Sequence, residues 1–385
     1  MFLSSIQLQG YRNYHQLHCV FSPGINLFTG ANAQGKTNLI ESIYYLSIGR
    51  AYRQAADEQL IQWGRDAFSI HGYTERKNRE TADIEIIYRK EEKPAKRILV
   101  NGLHQTKKEE MSGVFISVLF SPESMTMMKG APIERRNFLD YDIGQISMIY
   151  RTDLFRYRRL LAQRNALLKR MSAGSSKGAG DKEQLLVWDR QLIAYGKKIM
   201  EKRISFIEKM TPMVRLTHRK LTEGEENMEL QYQVYAKNPA TIHKKRGEER
   251  DIGSFLSDLR DSSLEEDLRF GSTQWGPHRD DVRIMINGVD ARKYGSQGQQ
   301  RTGILALKLA ELEIFRGESG EYPVLLLDDV LSELDEKRQR KLLDIINEKY
   351  IQCIITATDV KNPGLTEKRQ LKQFSVSKGE ISESP

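Results

Sequence analysis

The sequence predicts an α/β fold in which one mixed domain is split along the chain by a helical insertion. Three patterns carry that expectation: a β-rich first third with one strand, glycine loop and helix unit; helical spacing of apolar residues from 133 to 268; and buried-strand patterns that return after 269. The expected boundaries are 1–132 for the first half of the mixed domain, 133–268 for the insertion and 269–385 for the second half. A chain of 385 residues has room for this arrangement.

Ile25-Asn26-Leu27-Phe28 is a short apolar strand pattern, and 38–46 is a helical one. Between them Gly30-Ala31-Asn32-Ala33-Gln34-Gly35-Lys36-Thr37 matches G-x-x-x-x-G-K-[ST] at every fixed position. In this setting glycines let backbone N–H groups turn inward around a phosphate chain, and the helix N-terminus adds partial positive charge. The pattern predicts bound ATP or GTP, with Lys36 on the β/γ-phosphates and the Thr37 hydroxyl on Mg²⁺. Downstream, 68–73 and 82–88 alternate as half-buried strands do, and 97–100 runs into an Asn101-Gly102 hairpin turn. The continuous apolar run 114–120 is expected as a buried central strand, ended by Ser121-Pro122-Glu123.

In the insertion, Leu154, Tyr157, Leu160, Leu161, Leu167 and Leu168 recur at helical spacing, as do Trp188, Leu192, Tyr195, Ile199 and Phe206. Ser172-Ala173-Gly174-Ser175-Ser176-Lys177-Gly178-Ala179-Gly180 between them is unfit for a helix and predicts a mobile tip joining two antiparallel helices. The periodicity lasts only a few turns, which excludes a long coiled coil. After Phe270, Val324-Leu325-Leu326-Leu327 and Cys353-Ile354-Ile355-Thr356 read as buried strands flanking a helix at 337–348, and 374–381 reads as a closing hairpin.

The second half selects the chemistry. Pro323-Val324-Leu325-Leu326-Leu327-Asp328-Asp329 is an apolar strand ending in two carboxylates. Paired with the glycine loop, Asp328 is expected to hold Mg²⁺ through its water shell and Asp329 to polarise an attacking water. Asp329 and Lys36 are the catalytic candidates, and Thr37 and Asp328 the metal ligands. Ser296-Gln297-Gly298-Gln299-Gln300 opens another helix, where a hydroxyl and N–H groups form a second anion site. Ser296, Gly298 and Gln299 therefore join Gly30, Ala31, Asn32, Ala33, Gln34, Gly35, Lys36 and Thr37 as nucleotide-binding candidates. The Ser296 segment resembles the signature of ABC-type ATPases, and Leu331-Ser332-Glu333-Leu334-Asp335 resembles their D-loop. In that superfamily one subunit's signature closes on the γ-phosphate held by the other subunit's P-loop.

The chain as a whole resembles the bacterial RecF family of recombination-repair proteins. The resemblance rests on Tyr11-Arg12-Asn13-Tyr14, the P-loop with Thr37-Asn38-Leu39-Ile40-Glu41, and Arg135-Arg136-Asn137-Phe138-Leu139-Asp140. Arg164-Asn165-Ala166-Leu167-Leu168, Gly276-Pro277-His278-Arg279-Asp280-Asp281, the signature and the Asp328-Asp329 pair complete it. It implies an ABC-type head with a helical second lobe, like the heads of SMC proteins without their long coiled coil. It also implies a weak, DNA-stimulated ATPase that dimerises on ATP at gapped or single-strand/double-strand junction DNA. With RecO and RecR as partners, such a protein promotes RecA loading. Two departures from the wider superfamily favour a slow ATP-timed clamp over a fast motor. The usual glutamate after the Walker B strand is Asp329, one methylene shorter, and the usual switch histidine falls near Thr358.

Sixty Lys and Arg against 52 Asp and Glu give a net charge of +8, which favours an acidic partner such as DNA. Arg151, Arg156, Arg158, Arg159, Arg164, Lys169 and Arg170 load one helix of the insertion; Lys197, Lys198, Lys202 and Arg203 load its neighbour. Arg215, His218, Arg219, Lys220 and then Lys244, Lys245, Arg246 follow. Acids are scarce between 156 and 170, so neutralisation at i,i+4 is missing. Arg50, Arg53, Arg156, Arg159 and Lys169 are the sharpest DNA-binding candidates. Two cysteines, no signal-peptide pattern and no apolar run near the ~20 residues of a membrane span predict a soluble cytoplasmic protein.

Overall fold

A computed structural model describes residues 1–53, 55–174, 179–235, 240–241, 251–358 and 371–384. The chain forms two compact units. The first contains Met1–Met125, Thr217–Glu225 and Gln297–Pro385, and the second Thr126–Leu216 and Glu226–Ser296. The outer breaks fall at 125/126 and 296/297, where the sequence predicts 132/133 and 268/269, and Thr217–Glu225 returns to the first unit within the expected insertion. The later second break has a physical reason: a strand at 281–286 hydrogen-bonds to one at 228–234, so the chain up to Ser296 stays with the inserted unit.

The first unit opens with β1 (Phe2–Tyr11), β2 (Tyr14–Val20), β3 (Ile25–Thr29) and α1 (Lys36–Ile48), followed by β4 (Ala67–Glu75), β5 (Thr81–Arg89), β6 (Lys96–Val100), β7 (Leu103–His104) and β8 (Ser117–Phe120). Among the described residues, one antiparallel sheet has the order β2-β1-β4-β5-β6-β7. Its strands alternate as expected, with Leu8 opposite Leu17 on one side and Ile70 on the other. Asn101 (φ 52°) and Gly102 (φ 74°) both take positive φ, the type I′ turn that their pairing predicts. Leu39, Ile40, Ile43 and Leu46 of α1 pack with Leu3, Ile6, Phe68, Ile70 and Ile84 in one buried cluster.

The second unit holds α2 (Thr126–Lys129), α3 (Pro132–Ile146), α4 (Met148–Ser172), the body of α5 (Ala179–Leu221), β9 (Met228–Val234), β10 (Ala240–Thr241), α6 (Ile252–Phe270), β11 (Asp281–Ile286), β12 (Val289–Asp290) and α7 (Ala291–Tyr294). It is therefore not purely helical: β10-β9-β11-β12 form a sheet. Helices α4 and α5 run antiparallel, since Tyr150, Arg156 and Arg164 of one meet Arg203, Tyr195 and Asp189 of the other. Of the non-helical tip expected at 172–180, Ser172 instead ends α4, Ala179 and Gly180 open α5, and 175–178 lie outside the described residues. No long coiled coil is present among the described residues.

Two arginines of the basic inventory are internal to this unit rather than on its surface. Arg164 is fully buried and donates to Asp189 (2.6 Å), Asp267 (2.6 Å) and Thr273 Oγ1 (2.9 Å). Arg203 is buried against Asp140 (2.6 Å) and the Pro277 carbonyl (2.7 Å). The 276–281 segment knits the same core: Tyr157 meets His278 Nδ1 (2.7 Å), Tyr232 donates to Asp280 (2.7 Å), and Arg135 grips Asp281 through two bonds. Burial lowers the His278 pKa to about 4 and raises that of Asp280 to about 6.

The first unit resumes with α8 (Gln297–Ser319), β13 (Val324–Asp328), α9 (Glu336–Glu348), β14 (Cys353–Ala357), β15 (Leu371–Ser377) and β16 (Glu380–Glu383). The second sheet has the order β16-β15-β3-β14-β13-β8, parallel except for the closing β15–β16 hairpin. Strand β8 is buried as expected but lies at the sheet edge, not its centre. Its uniform burial comes from α1 and α8 packing on it, because a buried run reports covered faces rather than rank in the sheet. The register sets Phe28, Thr356 and Asp328 abreast, so β3, β14 and β13 end side by side. That edge is where ligands bind in open parallel sheets.

Replacing Arg164 with Ala strands two buried carboxylates, and unfolding stability should fall by about 3–5 kcal/mol. The exposed Arg170→Ala should change it by less than about 0.5 kcal/mol. Urea titrations followed by circular dichroism measure both; equal, small effects would show that the network is dispensable.

Candidate nucleotide site

The loop after β3 is shaped by its two fixed glycines. A Cβ on Gly30 (φ 157°) would lie 2.3 Å from the Val376 carbonyl, and one on Gly35 (φ 121°) would lie 2.6 Å from Asn13 Nδ2. The loop is also braced from outside. Asn13 donates to the Gln34 carbonyl (2.9 Å) and accepts from Asn38 (2.8 Å), while the Tyr14 hydroxyl donates to the Gly35 carbonyl (3.0 Å). From the β15–β16 turn, Gly379 N–H reaches the Gln34 carbonyl (3.0 Å) and Lys378 N–H its Oε1 (2.7 Å). Arg12 forks onto the buried Glu41 of α1 (2.9 and 3.2 Å), with Tyr11 on the same carboxylate (3.3 Å). Sequence reading marked 11–14 only as part of a resemblance; geometry makes the segment the outer wall of the loop.

Lys36 is buried, and its Nζ donates to the carbonyls of Gly30 (2.6 Å) and Ala31 (2.8 Å). Burial lowers its pKa, and the carboxylates of Asp329 and Asp328 act in the opposite sense. Thr37 Oγ1 donates to Asp328 Oδ1 at 3.1 Å, joining residues 291 apart. The Tyr52 hydroxyl donates to Asp328 Oδ2 (3.3 Å), and Thr356 Oγ1 donates to Oδ1 (2.7 Å). Burial raises the Asp328 pKa, and the bonds from Thr356 and Thr37 oppose it. A hydroxyl and one carboxylate, both hard oxygen donors, suit Mg²⁺, which takes few protein ligands and keeps its other positions for water and phosphate. Asp329 sits in the left-handed region (φ 54°), held by its N–H to the Thr356 carbonyl (3.2 Å) and Oγ1 (3.0 Å). A non-glycine residue in that conformation marks a constrained position.

Asn32, Ala33, Gly35, Lys36, Thr37, Asn38, Arg53, Asp328 and Asp329 line one open cleft. Arg53 is thus placed beside the phosphate loop, paired with Glu123 (3.2 Å). Its position on the loop after α1 brings it there. Arg50, on the same loop, is half-buried and does not line the cleft.

Gly298 and Gln299 do not line the cleft either. Ser296 and Gly298 are exposed, and the segment opens α8. Arg301, one turn on, donates to the Glu333 carbonyl (3.2 Å), tying the signature helix to the D-loop. Ser332 of the D-loop donates to the Asp329 carbonyl (2.7 Å). Thr356, two residues before the expected switch position at Thr358, carries the contacts to both acids; only its place at a strand end signalled it.

Among the basic candidates, Arg156, Arg159 and Lys169 are exposed on α4. Arg164, Arg203 and His218 are buried, and Arg158, Lys197 and Arg215 are paired with Asp140, Asp251 and Glu229. These six therefore leave the exposed, unneutralised set that the sequence suggested. Lys244, Lys245 and Arg246 lie outside the described residues. Among the described residues no helix is long and apolar enough to cross a membrane.

Residues 2–382 match the family model described as the RecF/RecN/SMC N terminal domain. The chain is 40% identical over 383 residues to the DNA replication and repair protein RecF of Halothermothrix orenii, covering 99% of both chains. It is 39% identical over 386 residues to the protein of the same name from Staphylococcus aureus, covering 99% of this chain and 100% of that one. Its fold is similar to a solved structure of the recombination mediator protein RecF with ATP, in the RecFOR pathway, at 36% identity and a TM-score of 0.89 over 100% of this chain and 98% of that one. The Smc head domain of Pyrococcus furiosus superposes with a TM-score of 0.56 at 16% identity, covering 100% of this chain and 96% of that one. This likeness shows the ABC-type head fold.

Asn13→Ala removes two braces from the phosphate loop and should weaken ATP binding by about 5- to 30-fold, the equivalent of one or two hydrogen bonds. The thermal midpoint should stay near that of the wild type. Titration with a fluorescent ATP analogue tests this; unchanged affinity would show that the loop holds its shape without the brace.

Proposed function

Because the chain belongs to the RecF family, we propose that it is an ATP-dependent DNA-binding protein of replication and recombinational repair. One observation carries the nucleotide half of this reading: Thr37 and Asp328, 291 residues apart, meet at 3.1 Å inside a cleft that also holds Lys36 and Asp329. The N–H groups of 30–37 and the Lys36 ammonium take the ATP phosphates, with Arg53 as a second cation from the cleft wall. Thr37 and Asp328 hold Mg²⁺, which offsets phosphate charge; Asp329 polarises the attacking water. Asp329 is shorter than the glutamate usual at this place, and hydrolysis is correspondingly slow.

The cleft is an open half-site. The exposed signature at Ser296, Gly298 and Gln299 completes the cleft of a second copy, and a two-fold dimer closes on two ATP molecules. ATP binds the closed dimer better than the open monomer and so drives assembly by mass action. The second unit supplies Arg156, Arg159 and Lys169 as phosphate contacts to gapped or single-strand/double-strand junction DNA, independent of sequence. DNA stimulates hydrolysis, which resets the clamp. With RecO and RecR the protein promotes RecA loading in the cytoplasm.

Asp329→Asn should bind ATP normally, stop turnover and hold the dimer on DNA, because the change removes charge but keeps shape. In that trapped state, neutralising Arg156, Arg159 and Lys169 together should flatten the log K against log salt slope by up to ~3 units on duplex DNA. Fluorescence anisotropy across a salt series measures retention on DNA and the slope, and phosphate release measures turnover. A triple variant with the parental slope would remove α4 as the DNA contact, and an Asp329→Asn protein that still turns over ATP would remove Asp329 from the chemistry.

A further inference from the structure

Asp328 is held by more groups than metal binding requires. Its Oδ1 accepts from Thr37 (3.1 Å) and Thr356 (2.7 Å), and its Oδ2 from Tyr52 (3.3 Å). Thr356 is fully buried, and its hydroxyl has a single proton. That proton goes to Asp328, which leaves the oxygen to accept the Asp329 N–H at 3.0 Å. The polarity of the sequence is therefore set: Asp329 N–H to Thr356 O–H to Asp328. We propose that Thr356 is a positioning residue that couples the metal-holding carboxylate to the water-polarising residue, with Tyr52 steadying the carboxylate's second oxygen.

The geometry supplies three reasons. Thr356 faces Asp328 across the parallel β13–β14 ladder, so sheet register holds the hydroxyl at that distance and no loop is needed. Oδ1 has Thr356 as a partner independently of Thr37, so the carboxylate keeps its orientation when the Thr37 oxygen turns to a ligand. Asp329 is the residue whose backbone is in the left-handed region, and Thr356 holds its N–H through both carbonyl and hydroxyl. Tyr52 is set in place independently, by edge-to-face packing on Tyr44 (6.0 Å between ring centroids) and by Arg53 over its ring (5.5 Å). The proposal rests on the nucleotide reading of the cleft and deepens it.

The test compares Thr356→Val, Thr356→Ser and Tyr52→Phe in the full-length protein. A fluorescent ATP analogue is titrated in EDTA and across a Mg²⁺ series, and single-turnover hydrolysis is measured at saturating Mg²⁺. Thr356→Val should keep its EDTA affinity within about twofold, raise the Mg²⁺ needed for half-saturation about tenfold, and slow single turnover by about tenfold or more. Thr356→Ser should return both to within about threefold of wild type. Tyr52→Phe should raise the Mg²⁺ requirement about threefold and leave the saturated rate alone, because it touches Asp328 and not Asp329. A Thr356→Val protein with wild-type Mg²⁺ requirement and rate overturns the proposal. So does one that loses affinity equally in EDTA and Mg²⁺, which is the mark of a scaffold residue. If thermal melts show that Thr356→Val does not fold, Thr356→Ala decides by the same two readouts, and an unchanged Mg²⁺ requirement and rate overturn the coupling. Wild-type protein that binds no nucleotide in either medium overturns the reading of the cleft itself, an outcome distinct from the others.

Discussion

One carboxylate organises the first unit. Asp328 closes a contact between the helix that begins at Lys36 and a strand almost 300 residues later, and Thr356 and Tyr52 reach the same two oxygens. Burying an anion is expensive unless hydrogen bonds replace its water, and three hydroxyls from three segments do so here. The parallel order β3-β14-β13 sets their separation, because Phe28, Thr356 and Asp328 share one level of the ladder. Continuity of chain between 125 and 297 is not needed for that level to form, since β8 and β13 pair directly in parallel register. The inserted unit is tolerated for this reason, with its own buried network around Arg164 and Arg203.

A second layer holds the phosphate loop from behind. Arg12 on Glu41 ties the antiparallel sheet to α1, Asn13 and Tyr14 tie it to the loop backbone, and Gly379 holds the same backbone from the β15–β16 turn of the other sheet. Charge-assisted, bidentate pairs such as Arg12–Glu41 are geometrically specific, so this wall orients the loop as well as stabilising it. It also gives a physical meaning to Tyr11-Arg12-Asn13-Tyr14, and 276–281 has a similar meaning in the other unit. Both segments are cross-links between elements, and neither lines the cleft.

Local chemistry made much of this readable in advance. The glycine loop, the Asp328-Asp329 strand end and the Asn101-Gly102 turn each need particular residue types at fixed spacing, and all three lie where that need predicts. What escaped was set by tertiary pairing. The apolar run ending in β8 reported burial correctly and sheet position wrongly, because α1 and α8 cover an edge as fully as neighbours cover a centre. Basic residues counted along α4 and α5 looked like one charged face; Arg164 and Arg203 meet acids from distant segments, Asp267 and Asp140, which no helical spacing reveals. Thr356 gave no pattern at all, since a threonine at a strand end is ordinary until its neighbour across the ladder is known to be Asp328.

The cleft and the signature are separate features of one chain. Gly298 and Gln299 do not line the cleft, while Ser332 and Arg301 tie the D-loop to Asp329 and to the signature helix. The proposed enclosure of one nucleotide by two copies reconciles these facts, because it gives the exposed start of α8 a role in the cleft of a second chain. Mixing two variants that are inactive for different reasons tests this most directly: Lys36→Ala, which lacks the cradle, and Ser296→Arg, which lacks the cap. Each alone should hydrolyse no ATP. An equimolar mixture should regain hydrolysis, up to about half the wild-type rate, since only mixed dimers hold an intact site and each of those has one of two. A mixture as inactive as its components, or full activity of Ser296→Arg by itself, would contradict a site shared between two chains.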